Sequence, residues 1–268
     1  MGHVDTRGAL NFTPPELVRI VHEASRTGFQ VHMHAVGDAA VRAGLDAFSA
    51  NQKDLGRSDI LHHIAHLCLV DDYDLQRFRD LNVVANIQPS WAYQDDNLSL
   101  ITEPLLGPSR FAKLFPFSPL TNSGAMVVAG SDWPVSPLNP LEALEIAVSR
   151  KPVGVETVPP WIPEERMSIE KMLAAYTINA AYLSGEARLT GSIEIGKAAD
   201  MIVLDRDLFA TPVNRLHTAK VLSTRIASVG VMGHDLSPQD CQTIPRGVSL
   251  FSSAFAVGVF GAAGTQKH

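Results

Sequence analysis

The sequence predicts an α/β fold built on a parallel sheet, with about half of the strand–helix units of a closed barrel. Three observations predict it. Short apolar runs alternate along the chain with segments in which apolar residues recur at helical spacing. Such alternation is typical of helical crossovers between parallel strands. Four units can be counted in the sequence, whereas a closed barrel has eight. An open doubly wound sheet is the architectural alternative, but no glycine-rich phosphate loop follows any predicted strand.

The first predicted helix has clear start and stop signals. Thr13 and Glu16 match a capping box, Pro14 lies in the first turn, and Gly28 ends the helix. The next elements are predicted as a strand over 29–34, a helix over 39–49, a strand over 60–67, a helix over 72–81, a strand over 83–88, a strand over 126–131 and a helix over 139–150.

The remaining segments interrupt or follow this alternation. Ser90 to Pro119 is predicted to be a long irregular stretch that packs through its aromatic residues. A helix is expected from Ser168 to Ser184, then a strand, turn and strand over 189–197 and a β run over 200–204. We therefore expect a barrel part over 1–187, a small β element over 188–232 and an atypical tail over 233–268.

Composition limits the classes of partner. The formal net charge is −6 with both signs scattered along the 268 residues, so neither nucleic acid nor a membrane is expected to bind. We expect a small-molecule substrate. Cys68 and Cys241 are the only cysteines and lie far apart in sequence, which predicts no disulfide framework. A reducing compartment, the cytoplasm, is the expected location.

Three strand ends carry the residues best suited to chemistry. His34, His66 and Asp132 each close an apolar run, and the C-terminal strand ends of a parallel barrel are where catalytic groups gather. Two imidazoles and a carboxylate there indicate a metal site with a general base. A satisfied core histidine is the alternative for either imidazole taken alone, and a turn-capping role is the alternative for Asp132.

Side-chain alternation gives the expected neighbours of these residues. On a strand, His32 shares a face with His34, and His62 shares one with His66, so both are expected one layer deeper in the site, whereas His63 is expected to point away. Three further residues near the strand ends are candidates for substrate contact: Gln88, Trp91 and Trp133. Ordinary packing is the alternative for the aromatic pair.

Five segments in a fixed order resemble a known family. They are Val31 to Asp38 (VHMHAVGD), His63 to His66 (HIAH), Gly130 to Val135 (GSDWPV), Ala175 to Ala181 (AYTINAA) and Gly191 to Asp200 (GSIEIGKAAD). Together they resemble the amidohydrolase superfamily, in particular amidohydrolase family 3 and its YtcJ-like branch, over about residues 13 to 222.

The resemblance implies the C-terminal half of a metal-dependent (β/α)8 TIM barrel with part of a small β-sandwich domain. It implies that His34, His66 and Asp132 bind a divalent metal, with zinc the expected ion, and that His66 and Asp132 are catalytic. The implied reaction is hydrolysis of non-peptide, amide-type C–N bonds, in which a metal-activated water attacks the carbonyl and Asp132 shuttles the proton.

The sequence also departs from the family pattern. The family's first-strand His-x-His pair and its fourth-strand bridging group have no counterpart here, and Ala65 stands where the family often has Glu. We therefore expect an incomplete enzyme that self-associates or pairs with a missing N-terminal half. The alternatives are a non-catalytic amidohydrolase-like fragment that acts as an interaction or regulatory partner, and a metal-free α/β domain that binds ligand through the aromatic stretch.

Overall fold

A computed structural model describes residues 8–226, 229–232 and 250–252, and its first part follows the predicted alternation. The elements up to residue 149 are α1 (Pro14–Arg26), β1 (His32–Ala35), α2 (Asp38–Leu55), β2 (His63–His66), α3 (Asp72–Asp80), β3 (Val84–Ile87), α4 (Glu103–Leu106), α5 (Pro108–Phe111), α6 (Phe117–Asn122), β4 (Val127–Ala129) and α7 (Pro140–Ser149). The later elements are α8 (Ile169–Tyr176), α9 (Ile178–Leu183), β5 (Met201–Leu204), β6 (Val221–Ile226), β7 (Val229–Met232) and β8 (Leu250–Ser252).

The strands form two sheets. β1, β2, β3 and β4 lie in that order in a fully parallel sheet, which confirms the predicted α/β class. β5, β6, β7 and β8 form an antiparallel sheet in the order β7-β6-β5-β8. Of the tail predicted over 233–268, only β8 lies within the described residues.

Helix starts follow the capping signals in the sequence. The backbone N–H of Thr13 donates to the Glu16 carboxylate at 2.9 Å, as the capping-box pattern predicts. Asp71 caps α3, because its carboxylate accepts a bond from the backbone N–H of Tyr73 at 3.0 Å. Asn139 caps α7 in the same way. These caps fix where the helices begin after each strand.

One face of the parallel sheet packs against the helices. A Cβ added to Gly44 in the middle of α2 would lie 3.1 Å from atoms of both Met33 and Ile64, so these side chains face the helix layer. Their sheet neighbours His32 and His34 therefore project from the opposite face. This arrangement decides which side chains reach the functional site.

An ionic cluster ties the outer helices together. Asp74 on α3 is fully buried and accepts bonds from Arg42 of α2 at 2.9 Å and from Arg77 at 2.8 Å. Arg77 also reaches Asp46 of α2 at 2.6 Å. Because burying an unpaired carboxylate is strongly destabilising, the ion pairs with the two arginines are needed to offset the cost of desolvating Asp74.

The stretch predicted to be irregular between β3 and β4 contains short helices instead. Besides α4, α5 and α6, it includes a 3-10 turn over Pro89–Trp91 and a π turn over Leu98–Thr102. The expectation that its aromatic residues pack is confirmed, because Phe115 and Phe117 are 4% and 0% exposed. Proline and glycine break the stretch into pieces too short to predict from periodicity.

A buried arginine anchors this stretch to the rest of the molecule. Arg150 is fully buried, with a left-handed backbone at φ 57°, and its Nε donates to the carbonyl of Trp161 at 3.0 Å. Its guanidinium lies 4.9 Å from the centre of the Trp161 ring and 5.6 Å from that of Phe117. Glu165, only 8% exposed, accepts a bond from the backbone N–H of Ser118 at 3.2 Å.

Two predictions beyond residue 150 are wrong. The helix expected from Ser168 to Ser184 is broken into α8 and α9, because Thr177 has a non-helical backbone with ψ −95°. The strand, turn and strand expected over 189–197 are absent, and the described chain there consists of turns and bends. The alternating apolar residues of this segment remain exposed, 63% for Leu189 and 55% for Ile193, so no buried face stabilises a strand.

α9 contacts the chain at β4 and just before β1, the two outer strands of the parallel sheet. The Asn179 side chain donates to the backbone carbonyl of Val127 on β4 at 2.9 Å. From the same helix, the carbonyl of Leu183 accepts a bond from the side chain of Gln30, just before β1, at 2.8 Å. The two outer strands of the sheet thus approach the same short helix. Within the described residues, no helix is long and apolar enough to cross a membrane.

Candidate metal and catalytic site

Four imidazoles form a connected cluster on the face of the sheet opposite the helices. Nδ1 of His34 lies 2.6 Å from Nε2 of His66, and Nε2 of His32 lies 3.2 Å from Nε2 of His34. Nδ1 of His32 in turn lies 3.1 Å from Nε2 of His63. The predicted pair, His34 and His66, is therefore brought together, and two further histidines extend it along the sheet.

The expectation for His62 and His63 is wrong. β1 and β2 pair with His32 opposite His63, so these two side chains project from the same face of the parallel sheet. His62 instead lies in the helix layer, where its ring stacks on Phe48 with centroids 4.9 Å apart. Its Nε2 lies 3.2 Å from Oγ of Ser25.

A reversed backbone conformation turns His66 into the cluster. Strict alternation places His66 with Ile64, toward the helices, but His66 and Leu67 have left-handed φ values of 79° and 51°. The imidazole then stacks on Trp91, with ring centroids 5.3 Å apart and planes inclined by 16°. Nε1 of Trp91 donates to Oγ of Ser136 at 2.7 Å, which holds the indole in place.

Gln88 lies at the floor of the site with a partner that sequence analysis missed. Gln88 is 4% exposed, and its amide donates to the side-chain oxygen of Asn86 at 3.1 Å. Burial lowers the pKa of His66, and the Gln88 side chain partly opposes that shift. Nevertheless, Nδ1 of His66 and Oε1 of Gln88 both lack a hydrogen bond of ordinary geometry. Asn86 lies opposite Ala65 in the sheet, and its spacing of two from Gln88 was the available signal.

Asp132 lies near the histidines, whereas Trp133 points outward. Asp132 follows β4 with a left-handed backbone at φ 56°. Burial lowers the pKa values of His66 and His32, and the charge of Asp132 partly opposes that shift. Trp133 is 63% exposed, so it walls no enclosed pocket in the described part of the chain. Of the three candidates for substrate contact, Gln88 and Trp91 lie at the cluster.

Burial keeps most of the cluster uncharged. Desolvation lowers the pKa of His32, and that of His66, and neighbouring imidazoles lower both further. The pKa of His63 falls to about 3, chiefly through burial and also through repulsion from His32. These three imidazoles are therefore neutral at pH 7, the form in which a ring nitrogen binds a metal.

The donor chemistry fits a divalent metal, but the number of donors is small. Neutral imidazoles favour zinc and related ions, and Nδ1 of His66 is buried without a hydrogen bond of ordinary geometry. However, among the residues that the structure describes, no three His, Cys, Asp or Glu side chains are grouped so as to hold an ion. The described chain thus offers part of a metal site, weaker than a complete three- or four-ligand set.

Comparison with known proteins gives consistent results. The profile of the amidohydrolase family, of the amidohydrolase 3 type, matches residues 2–229. Protein LONG AFTER FAR-RED 3 of Arabidopsis thaliana is 34% identical over 80% of this chain and 36% of its own length. N-substituted formamide deformylase of Arthrobacter pascens is 29% identical over 83% of the chain and 40% of its own length. Putative amidohydrolase YtcJ of Bacillus subtilis is 27% identical over 82% of the chain and 41% of its own length.

A solved structure shows the same fold. An uncharacterized metal-dependent hydrolase from Pyrococcus horikoshii aligns with a TM-score of 0.62 and 25% identity, over 84% of this chain and 40% of the other. The expected fold, part of a (β/α)8 barrel, is confirmed. In each of these comparisons the chain spans less than half of the matched protein.

Proposed function

The chain belongs to the amidohydrolase family, and on that premise we propose that it hydrolyses amide-type C–N bonds of a small molecule with the help of a divalent metal. His34 and His66 would hold the metal, and Asp132 would move the proton. The observation that carries the proposal is the 2.6 Å approach of the His34 and His66 nitrogens at the C-terminal strand ends, with Asp132 near enough to act on the pKa of His66.

In the proposed reaction, Asp132 transfers the proton and Trp91 orients the metal-binding His66. When bound, a divalent cation would polarise the substrate carbonyl and lower the pKa of the attacking water. The water oxygen bonds to the carbonyl carbon, and the carboxylate of Asp132 accepts a water proton. As the C–N bond breaks, Asp132 returns that proton to the departing nitrogen, which leaves a carboxylic acid and an amine. Trp91, stacked on His66, keeps that imidazole oriented and shields it from water.

Metal binding by the full chain tests the proposal directly. We expect Zn²⁺ or Mn²⁺ to bind weakly and to be lost in His34→Ala and in His66→Asn, because each variant removes one of the few donors. Asn is chosen at position 66 because it tolerates the left-handed backbone found there. Isothermal titration and elemental mass spectrometry give the affinity and the metal content.

His22→Ala is the matched control, since His22 lies on α1 and its Nδ1 is 3.7 Å from a Glu23 carboxylate oxygen, apart from the cluster. It should bind metal as the wild type does, and circular dichroism should show that all variants fold. Metal-loaded wild type should release amine from N-substituted formamides, the substrates that the name of the Arthrobacter pascens relative indicates. Metal retained in full by both histidine variants, or no metal bound by the wild type, would refute the proposal.

A further inference from the structure

A second feature of the C-terminal edge is a cavity of about 310 Å³ lined by residues that follow β1 and β2, the strands that carry His34 and His66. Its wall comes from the residues that directly follow β1 and β2, namely Val36, Cys68 and Leu69, and its roof from Leu98 and Leu114 of the stretch between β3 and β4. Leu69 and Leu114 are 6% and 3% exposed, so this part of the lining belongs to the apolar core.

The cavity has no free charge to offer a ligand. Arg110 borders it, but its guanidinium is paired with Asp38 at 2.8 Å. Burial raises the pKa of the Cys68 thiol to about 12, so the thiol is neutral at pH 7. A charged group placed here would lose its hydration without gaining a partner, whereas an apolar group would gain by leaving water.

The position of the cavity relates it to the proposed reaction. Val36 is two residues beyond His34, and Cys68 is two residues beyond His66. The stretch that begins with Trp91, stacked on His66, continues over the cavity as its roof. A molecule with an apolar end in the cavity would therefore have its polar end near the C-terminal ends of β1 and β2, where His34 and His66 lie.

We propose that this cavity binds the uncharged apolar substituent of the amide substrate and so selects bulky hydrocarbon groups over small or charged ones. The inference rests on the proposed function for the identity of the ligand as a substrate. An apolar protein cavity of about 150 Å³ holds benzene. A volume of about 310 Å³ leaves room for a cyclohexyl group together with the atoms that join it to the amide.

Binding of three probes to the metal-free full chain tests the proposal without requiring turnover. The probes are N-cyclohexylformamide, N-methylformamide and 4-formamidocyclohexanecarboxylate, and ligand-observed NMR in the presence of a chelator gives their dissociation constants. We expect the cyclohexyl probe to bind at least about tenfold more tightly than either of the others, because only that probe buries a large uncharged hydrocarbon surface.

Variants locate the binding. Thr102 and Val36 both line the cavity, so Thr102→Trp and Val36→Trp should each fill it and weaken cyclohexyl binding at least about tenfold. Leu100→Trp is the matched control, because Leu100 lies on the same π turn as Thr102, is 73% exposed and does not line the cavity. Equal binding of the three probes, or unchanged binding in both cavity variants, would overturn the proposal.

The two proposals fail in different ways. Selective cyclohexyl binding with no amine released after metal is added would leave the cavity assignment intact and refute the hydrolase. Amine release with equal KM values for the cyclohexyl and methyl probes would leave the hydrolase intact and refute the cavity assignment.

Discussion

Single residues show how burial sets charge in this protein. Glu165 has little access to solvent, and although Arg150 attracts its negative charge, burial is the larger effect and raises the pKa of the carboxyl to about 7. The carboxyl therefore stays protonated in the folded state over a range in which it is ionised in the unfolded chain. Its contribution to stability is fully present below the unfolded pKa of 4.5 and is lost as the pH rises through about 7.

Glu165→Gln should isolate this effect, because glutamine resembles the protonated acid. Near pH 4, where the carboxyl is protonated in the folded state and mostly protonated in the unfolded chain, the variant and the wild type should have similar free energies of unfolding. By pH 8 the variant should be more stable by about 3 kcal/mol, from a pKa difference of two to three units. Urea unfolding at several pH values measures the difference. A variant that is less stable at pH 8 would show that attraction by Arg150 outweighs burial.

At this scale the sequence predicts which strand ends carry the clustered histidines better than it predicts how their side chains are oriented. The ends of apolar runs identify His34, His66 and Asp132, and the structure brings the two histidines into contact. Alternation fails at His66 because its left-handed backbone reverses the side chain, and no sequence pattern marks that conformation. The same error exchanges the roles of His62 and His63.

At the scale of elements, a glycine contact joins α9 to the connection that follows it. A Cβ added to Gly191, at φ 88°, would lie 2.6 Å from Cβ of Ala181 and 3.0 Å from Cα of Ile178. The second of these atoms is backbone and cannot turn aside. The predicted strand fails here because this glycine fixes a turn against the helix.

Gly191→Ala should therefore lower the free energy of unfolding by about 3 kcal/mol, the sum of left-handed strain and steric overlap. Gly196→Ala is the matched control, since Gly196 also has a positive φ, 96°, but nothing lies within 4 Å of its added Cβ. It should cost only about 1 kcal/mol. Thermal and urea unfolding of both variants measure the two losses. Equal losses would show that the contact with α9 contributes nothing.

Elements whose apolar residues have a partner surface were predictable, and those without one were not. α2 and α7 follow their sequence signals because both bury their apolar residues, α2 against β1 and α7 against α8 and the 3-10 turn over Pro89–Trp91. The break between α8 and α9 at Thr177 has no such signal, since the surrounding residues continue the helical pattern. The short helices between β3 and β4 depend on contacts with the buried Arg150, which lies far along the chain.

At the scale of the whole molecule, the parallel sheet ends in two strands with one neighbour each. Among the described residues, β1 pairs only with β2, and β4 pairs only with β3. Strand edges of this kind bind further strands readily. We therefore propose that the chain self-associates or pairs with a separate chain that completes the barrel.

Sedimentation velocity over a range of protein concentrations tests self-association. The weight-average mass should rise with concentration in the micromolar range, because edge pairing is intermolecular and follows mass action. A monomer of constant mass over that range would contradict self-association. A complex formed on mixing the chain with a separately expressed N-terminal half of the YtcJ relative would support pairing with a second chain. No complex, together with a constant monomer mass, would refute the proposal.

The hydrogen bond from Asn179 to the carbonyl of Val127 makes the β4 edge of the sheet less accessible to a further strand than the β1 edge. On β4 this side chain already occupies an outward backbone acceptor, so an incoming strand would have to displace it. On β1 the odd-numbered residues bond to β2, as the Ala35 carbonyl does to Leu67, which leaves the backbone of His32 and His34 facing outward. A strand that docks on the β1 edge would lie along these two histidines. Association with another chain and the chemistry of the site would then depend on the same edge of the sheet.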